Sequence, residues 1–270
     1  MNQTSRSVFP VALVAVAVLA GALAAGCKSG GGDGGGSPSD SASPVDSELA
    51  EIYAQIAEAM TQEGQVYHFR IEGTTEAGEL SNTSEAEYWI DVENEVARQD
   101  LGVTDGAGAV VEQTTFVVGD EQTTVGAAPT STVAAAACPG LSAAASFFLS
   151  CGDEVGDVKI EEGEFEGTPA RILTSRRLQR TQQRVLDFTQ TTYLDLGTLL
   201  PLAAVLEGTV KTQANDAEAE GAEAEAEEIT LAGTSRVVED DFVDRESLPD
   251  DHFVPAEPEP QATPTPTPEG

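Results

Sequence analysis

Six apolar residues near position 50 fall at helical spacing. Leu49, Ile52, Tyr53, Ile56, Ala57 and Met60 make one stripe, while Glu48, Glu51, Gln55 and Glu58 lie off it. A helix with one buried face reads this way. The spacing predicts a helix over residues 47–61, stopped by Gly64. From position 65 the period changes to two. In QVYHFRIE, Tyr67, Phe69 and Ile71 share one face, and His68, Arg70 and Glu72 the other. In EAEYWIDV, Tyr88, Ile90 and Val92 oppose Glu87, Trp89 and Asp91. Half-buried strands produce this alternation. Similar runs, bounded by Gly, Asn or Asp, predict strands at 95–102, 109–118, 121–127, 158–165, 168–175, 185–195, 202–212 and 229–238. Between the two sets lies PGLSAAASFFLSC, residues 139–151. Its composition predicts a central helix of about ten residues, apolar all round and so buried or facing something apolar. About ten strands in a meander, with both helices on one face, predict an α+β fold: a single, strongly curved antiparallel sheet.

The ends of the chain have a different texture. Residues 8–26 are uncharged, only Arg6 precedes them with a charge, and Leu23, Ala24, Ala25 and Gly26 run directly into Cys27. This arrangement fits a bacterial lipoprotein signal. Residues 1–26 would be removed as a signal peptide, and the Cys27 sulfur would carry lipid. Ala24 departs from the Leu favoured at that position. The alternative is an uncleaved membrane anchor, since 19 residues approach the ~20 that span a bilayer. Either way the remainder is expected outside the cytoplasm, tethered to the outer face of the cell membrane. Residues 27–44 are mostly Gly, Ser and Asp, a flexible leash with an r.m.s. reach of roughly 20–25 Å. The folded domain is expected over 45–254. The Pro/Thr-rich stretch 255–270 is expected to be a disordered spacer, with or without glycosylation.

Composition narrows the partners. The chain has 13 basic and 47 acidic residues, a net charge of −34. Nucleic acid is not an expected partner, because binding a phosphate backbone calls for a basic patch. Residues 215–228, NDAEAEGAEAEAEE, hold seven carboxylates and are expected to be a solvated, disordered insertion between the last two strands. A calcium site would need the D-x-D-x-D-G spacing, absent there and in GDEVGD at 152–157. With Cys27 acylated, Cys138 and Cys151 remain. In an oxidising compartment they are expected to pair, closing a loop worth about 3 kcal/mol; the alternative is two free buried thiols. No metal is expected. His68 and His252 are the only histidines, and no Cys-x-x-Cys occurs.

The stretch TTYLDLGTLLPLAAVLEGTVK, residues 191–211, carries a more specific pattern. A strand ending in Tyr193-x-Asp195 meets a turn through Gly197 and Thr198, and Leu200-Pro201-Leu202 opens the return strand. Upstream come Tyr67-x-Phe69, the Tyr88-Trp89 strand and FEGTPARILTS at 165–175. In order and pattern, residues 46–245 resemble the lipoprotein-carrier and lipid-binding lipoprotein superfamily, of the LolA/LolB and LppX/LprG kinds. That resemblance implies an incomplete β-barrel, a cup closed by helices whose apolar concave face accepts acyl chains.

No G-x-S-x-G, P-loop, H-E-x-x-H or G-x-G-x-x-G motif is present, so neither an enzyme nor a cofactor is expected. His68 as a general base competes with a solvent-side strand histidine. Cavity candidates are Tyr67, Phe69, Ile71, Tyr88, Ile90, Val92, Phe147 and Phe148; the alternative is an ordinary packed core. Arg171, Arg176, Arg177, Arg180 and Arg184 crowd into 14 positions, either to dock anionic head groups or to balance neighbouring acids. Two functions follow. One is a membrane-anchored extracytoplasmic lipoprotein that binds or relays a hydrophobic ligand, a lipid or acyl chain. The other is an envelope surface or sensor lipoprotein of the same fold with a filled core. The sequence names no protein partner.

Overall fold

The computed structural model describes residues 44–126, 130–135, 137–138, 141–148, 154–155, 158–180, 184–212 and 228–255. The signal peptide, Cys27, the leash to residue 43, Cys151, most of the acidic insertion and the tail from 256 lie outside the described residues.

Helix α1 (Pro44–Ala59) carries the predicted stripe. Ile52, Tyr53, Ile56 and Met60 are buried, and Leu49 and Ala57 pack against the core from its rim. Each of the four buried side chains contributes about 1.5–3 kcal/mol by leaving water. At Ile56, which is fully buried, a carboxylate would break the docking. Twelve strands follow. The first six are β1 (Gln65–Ala77), β2 (Leu80–Asp91), β3 (Val96–Asp105), β4 (Val110–Val118), β5 (Glu121–Gly126) and β6 (Ser131–Ala134). After helix α2 (Ala143–Ser146) come β7 (Glu154–Val155), β8 (Lys159–Phe165), β9 (Thr168–Arg180), β10 (Arg184–Asp195), β11 (Pro201–Thr212) and β12 (Glu228–Asp244). A 3-10 turn, Arg245–Ser247, ends the last strand.

All strands join one antiparallel sheet, ordered β6-β5-β4-β3-β2-β1-β12-β11-β10-β9-β7, with β8 also beside β9. Each half of the chain is a meander, and β1 zips to β12 along 13 residue pairs to join the halves. The two ends of this path do not pair with each other among the described residues, so the sheet is open. It is also strongly curved. Residues of β2 and β10 are four strand spacings apart, about 19 Å on a flat sheet. Yet Tyr88 of β2 and Gln190 of β10 line one and the same cavity. Bulges at Arg70/Ile71 and Tyr193/Leu194 help the bend. So does Gly208, where an added Cβ would lie 2.3 Å from the Asp187 carbonyl oxygen; no other residue fits so close an approach.

The structure corrects several predicted elements. Beside the ten predicted strands, the sheet holds two short ones, β6 and β7, which lack any alternation long enough to read. The described central helix is four residues, Ala143–Ser146, capped by Ser142, whose Oγ accepts from the Ala145 N–H. It gives way to a turn at Phe147 and Phe148 rather than running about ten residues. Glu228 belongs to β12, not to the acidic insertion. Both helices do pack on the concave side, in one core cluster with Phe69, Tyr88, Ala97, Leu173 and Leu194.

Candidate functional site

Directly opposed residues in an antiparallel sheet share a face, so register maps the concave surface row by row. One row runs Phe242–Tyr67–Ile90–Ala97–Val117, and the next runs Asp240–Phe69–Tyr88–Gln99–Thr115. Tyr67 stacks on Phe69 at 5.2 Å, and Phe69 lies parallel to Tyr88 at 4.6 Å. Phe147 and Phe148 descend on this platform from the turn after α2. Phe148 meets Phe69 edge-on, and Phe147 meets Tyr88 at 66°, each at 6.0 Å. Burial drives the Tyr67 and Tyr88 hydroxyls well above the ordinary phenol pKa; Asp240 and Asp241 add to this at Tyr67, while a hydrogen bond from Gln99 opposes it at Tyr88. Both hydroxyls are therefore neutral at any physiological pH, with that of Tyr88 accepting from the Gln99 amide at 2.6 Å.

The predicted cavity residues are thus brought together, but mostly as packing. Tyr67, Phe69, Tyr88, Ile90 and Phe147 are buried members of the main cluster, and Ile71, Val92 and Phe148 pack at its edge. Val92 lies just beyond β2. The cavity of about 40 Å³ is lined by Phe69, Ile71, Tyr88 and Phe148 from this platform, and from the opposite wall by residues that include Gln190, Thr192, Ala204, Ser235 and the cationic Arg236. That volume matches about one water molecule, far short of the 300–1,000 Å³ of ordinary ligand pockets.

Beyond the cavity the same face carries a second apolar cluster: Ala77, Leu186, Phe188, Leu206, Val210 and Leu231. Between the clusters runs a polar band that the sequence analysis missed. Its members Ser175, Gln190, Thr192, Ser235, Thr75 and Asn82 are all buried. Strand alternation signals which face a residue takes, and nothing in it marks a polar residue on the buried face.

The five arginines divide. Arg171 and Arg177 share the concave face with Leu173 and Ser175. Arg177 is buried, near enough to α1 that its charge opposes the rise that burial imposes on the Tyr53 hydroxyl pKa. Arg171 pairs with Glu162 at 3.3 Å. Arg176 faces outward and pairs with Asp187, whose carboxyl that hydrogen bond holds below the usual carboxylate range. The side chains of Arg180 and Arg184 lie outside the described residues. Cys138 is buried in the main cluster.

Asp195 makes the turn as its position suggests. Its Oδ1 accepts from the Gly197 and Thr198 N–H groups at 3.0 and 2.8 Å and from the Thr198 hydroxyl, which lowers its pKa. Pro201 then opens β11.

The convex face holds His68, but not as a free solvent-side ring. Its side chain is 13% exposed, with Nδ1 2.7 Å from Asp241 and Nε2 2.7 Å from Glu87. It stacks on Trp89. The far edge of Trp89 meets His252 at 4.9 Å, from a C-terminal strap that folds back over the sheet. Arg98 donates to the His252 carbonyl at 3.2 Å, and Arg245 donates to buried Asp91 at 3.1 Å. The Arg245 guanidinium also lies over Phe253. Burial, and then Arg98, lower the His252 pKa. Among the described residues no group of three His, Cys, Asp or Glu is arranged to hold a metal ion.

Three solved structures are among those to which this chain is similar in part. A domain described as an outer membrane lipoprotein-sorting protein, from Vibrio parahaemolyticus, is 13% identical; the match covers 76% of this chain and 95% of that one, with a TM-score of 0.37. A LolA superfamily protein from Nitrosomonas europaea is 12% identical over 76% of this chain and 96% of that one, TM-score 0.34. A DUF1329 family protein from Desulfovibrio piger is 12% identical over 78% and 98%, TM-score 0.36. No family profile matches the sequence, and no curated protein matches it. Identities this low bear on fold alone, and the fold rests on the strand order given above.

Proposed function

We propose that the chain is an exported lipoprotein, held at the outer face of the cell membrane through Cys27, whose concave face binds or relays a lipid or acyl chain. One observation carries this reading. The two walls of the curved sheet meet at a cavity bordered by Phe148 from the turn after α2, with apolar clusters on either side. At about 40 Å³ the site is too small for an acyl chain as it stands, and on this reading a ligand enters as the turn at 147–148 lifts from Phe69 and Tyr88. A chain of fourteen methylenes would contribute on the order of 10 kcal/mol before binding costs. That is enough to offset displacing two aromatic contacts of about 0.5–1.5 kcal/mol each. No covalent chemistry is required.

The same small volume favours a second reading, an envelope surface or sensor lipoprotein of this fold with a filled core. Titration with N-phenyl-1-naphthylamine, which brightens in apolar sites, separates the two. Saturable binding of about one probe per chain supports carriage, and a signal that rises linearly without saturation supports the filled core.

A further inference from the structure

The polar band across the concave face is an energetic anomaly. Ser175–Gln190–Leu206–Gly233–Thr75–Asn82 lie in register across six strands, β9, β10, β11, β12, β1 and β2. Thr192 and Ser235 flank this line one row nearer the aromatic platform. Leu206 and the side-chain-free Gly233 alone interrupt the run of polar side chains. Three atoms in it are buried without a hydrogen-bond partner: Gln190 Oε1, Thr75 Oγ1 and Asn82 Nδ2. Gln190 is 7% exposed, Asn82 3% and Thr75 1%. The Gln190 amide nitrogen donates to Thr192 at 3.4 Å, leaving the oxygen unmet. An orphaned buried polar group costs about 1–3 kcal/mol, and three lie along one band, so the fold carries a strain that apolar residues would remove. The band also touches the cavity, since Gln190, Thr192 and Ser235 line it.

We propose that this band is the recognition element of the concave site, and that its ligand is an uncharged amphiphile with a hydroxyl or amide group between two hydrocarbon stretches. This rests on the hydrophobic-ligand reading above and adds the ligand's chemistry. The unmet atoms comprise an acceptor at Gln190, a donor at Asn82 and a group of both kinds at Thr75. A hydroxyl or amide offers both functions at once, whereas a plain hydrocarbon offers neither and an ester only accepts. The unmet atoms of the band are themselves neutral, so a charged group placed against them would gain no ion pair there; Arg177 lies one row further along the same face. The platform of Phe69 and Tyr88 holds hydrocarbon on one side of the band, and Phe188, Leu186 and Leu231 hold it on the other. A site built to hydrogen-bond a substrate hydroxyl discriminates strongly against an analogue without one, because its own buried groups are then left unpaired.

The test is a competition on the full chain against N-phenyl-1-naphthylamine, using methyl 12-hydroxystearate and methyl stearate. These esters differ only by a hydroxyl in mid-chain. The hydroxy ester is expected to compete at about tenfold lower concentration. Gln190→Leu is expected to bring that ratio to about one while leaving the thermal midpoint unchanged or raised, since a purely structural glutamine would lower it. Thr75→Val, close in shape, serves if Gln190→Leu fails to fold. Equal competition by the two esters on a chain that binds the probe overturns the inference and leaves the hydrophobic site intact. A ratio that survives both substitutions also overturns it. A chain that binds neither probe nor ester overturns the site and the inference together.

Discussion

Phe148→Ala is the substitution that best separates a roof from a brick. The Phe148 ring meets Phe69 edge-on at 6.0 Å and borders the cavity, so one side of it already lacks packing partners. Truncating a fully buried Phe costs about 3–5 kcal/mol. Half-buried against an existing void, this ring should cost the closed conformation about 2 kcal/mol. If ligands enter only when the turn lifts, the same 2 kcal/mol is removed from the opening penalty. Apparent affinity scales with the fraction of competent molecules, and 1.4 kcal/mol is tenfold. Binding of N-phenyl-1-naphthylamine should therefore tighten by about 30-fold while the thermal midpoint falls. Both are read on one sample, by fluorescence titration and by a melt followed by circular dichroism. A lower midpoint with unchanged or weaker probe binding would refute the reasoning, because Phe148 would then be ordinary core.

Three further outcomes are expected. Cys27→Ser should move the protein from the membrane pellet to the soluble fraction, and a variant that still sediments would contradict lipidation there. Cys138 and Cys151 should resist alkylation until reduced, with loss of the bridge costing about 3 kcal/mol; rapid labelling of the native chain would contradict pairing. His252 should make the C-terminal strap acid-sensitive. Its folded pKa lies below the ordinary 6.5, because burial disfavours the charged ring and Arg98 and Arg245 outweigh Asp100 and Glu87. The released strap therefore binds protons more readily, so docking is complete above pH 6.5 and weakens as pH falls below it. Trp89, the only tryptophan, reports this: its emission should change between pH 7 and pH 5 in the parent and less in His252→Phe. That variant keeps a ring against Trp89 and removes only the titrating imidazole at 252. Equal changes in both would remove His252 from the account.

Much of this architecture could be read in the sequence, for physical reasons. The stripe of α1 and the alternation of β1 and β2 each place apolar residues on one face, and a face that must leave water dictates its own direction. Asp195 and Pro201 mark a turn by their own chemistry. Contacts made by register between distant strands were not legible. Tyr88 and Gln190 are 102 positions apart, and only a sheet bent by its bulges and by Gly208 brings them to one cavity. Alternation in β9 separates Arg171 and Arg177 from Arg176, so the arginine cluster was readable as two faces. The strap at His252 carries no periodic signal, because single aromatic and cationic contacts hold it rather than a repeating face.

The central claim is that the concave face holds a hydrocarbon without a covalent bond. Mass spectrometry of an organic extract of the full chain, purified from membranes, tests it most directly, since chains attached at Cys27 stay with the protein. The account predicts about one extractable acyl-bearing molecule per protein, enriched in hydroxyl- or amide-bearing species. A protein that yields no stoichiometric lipid, and whose probe titration does not saturate, would contradict it.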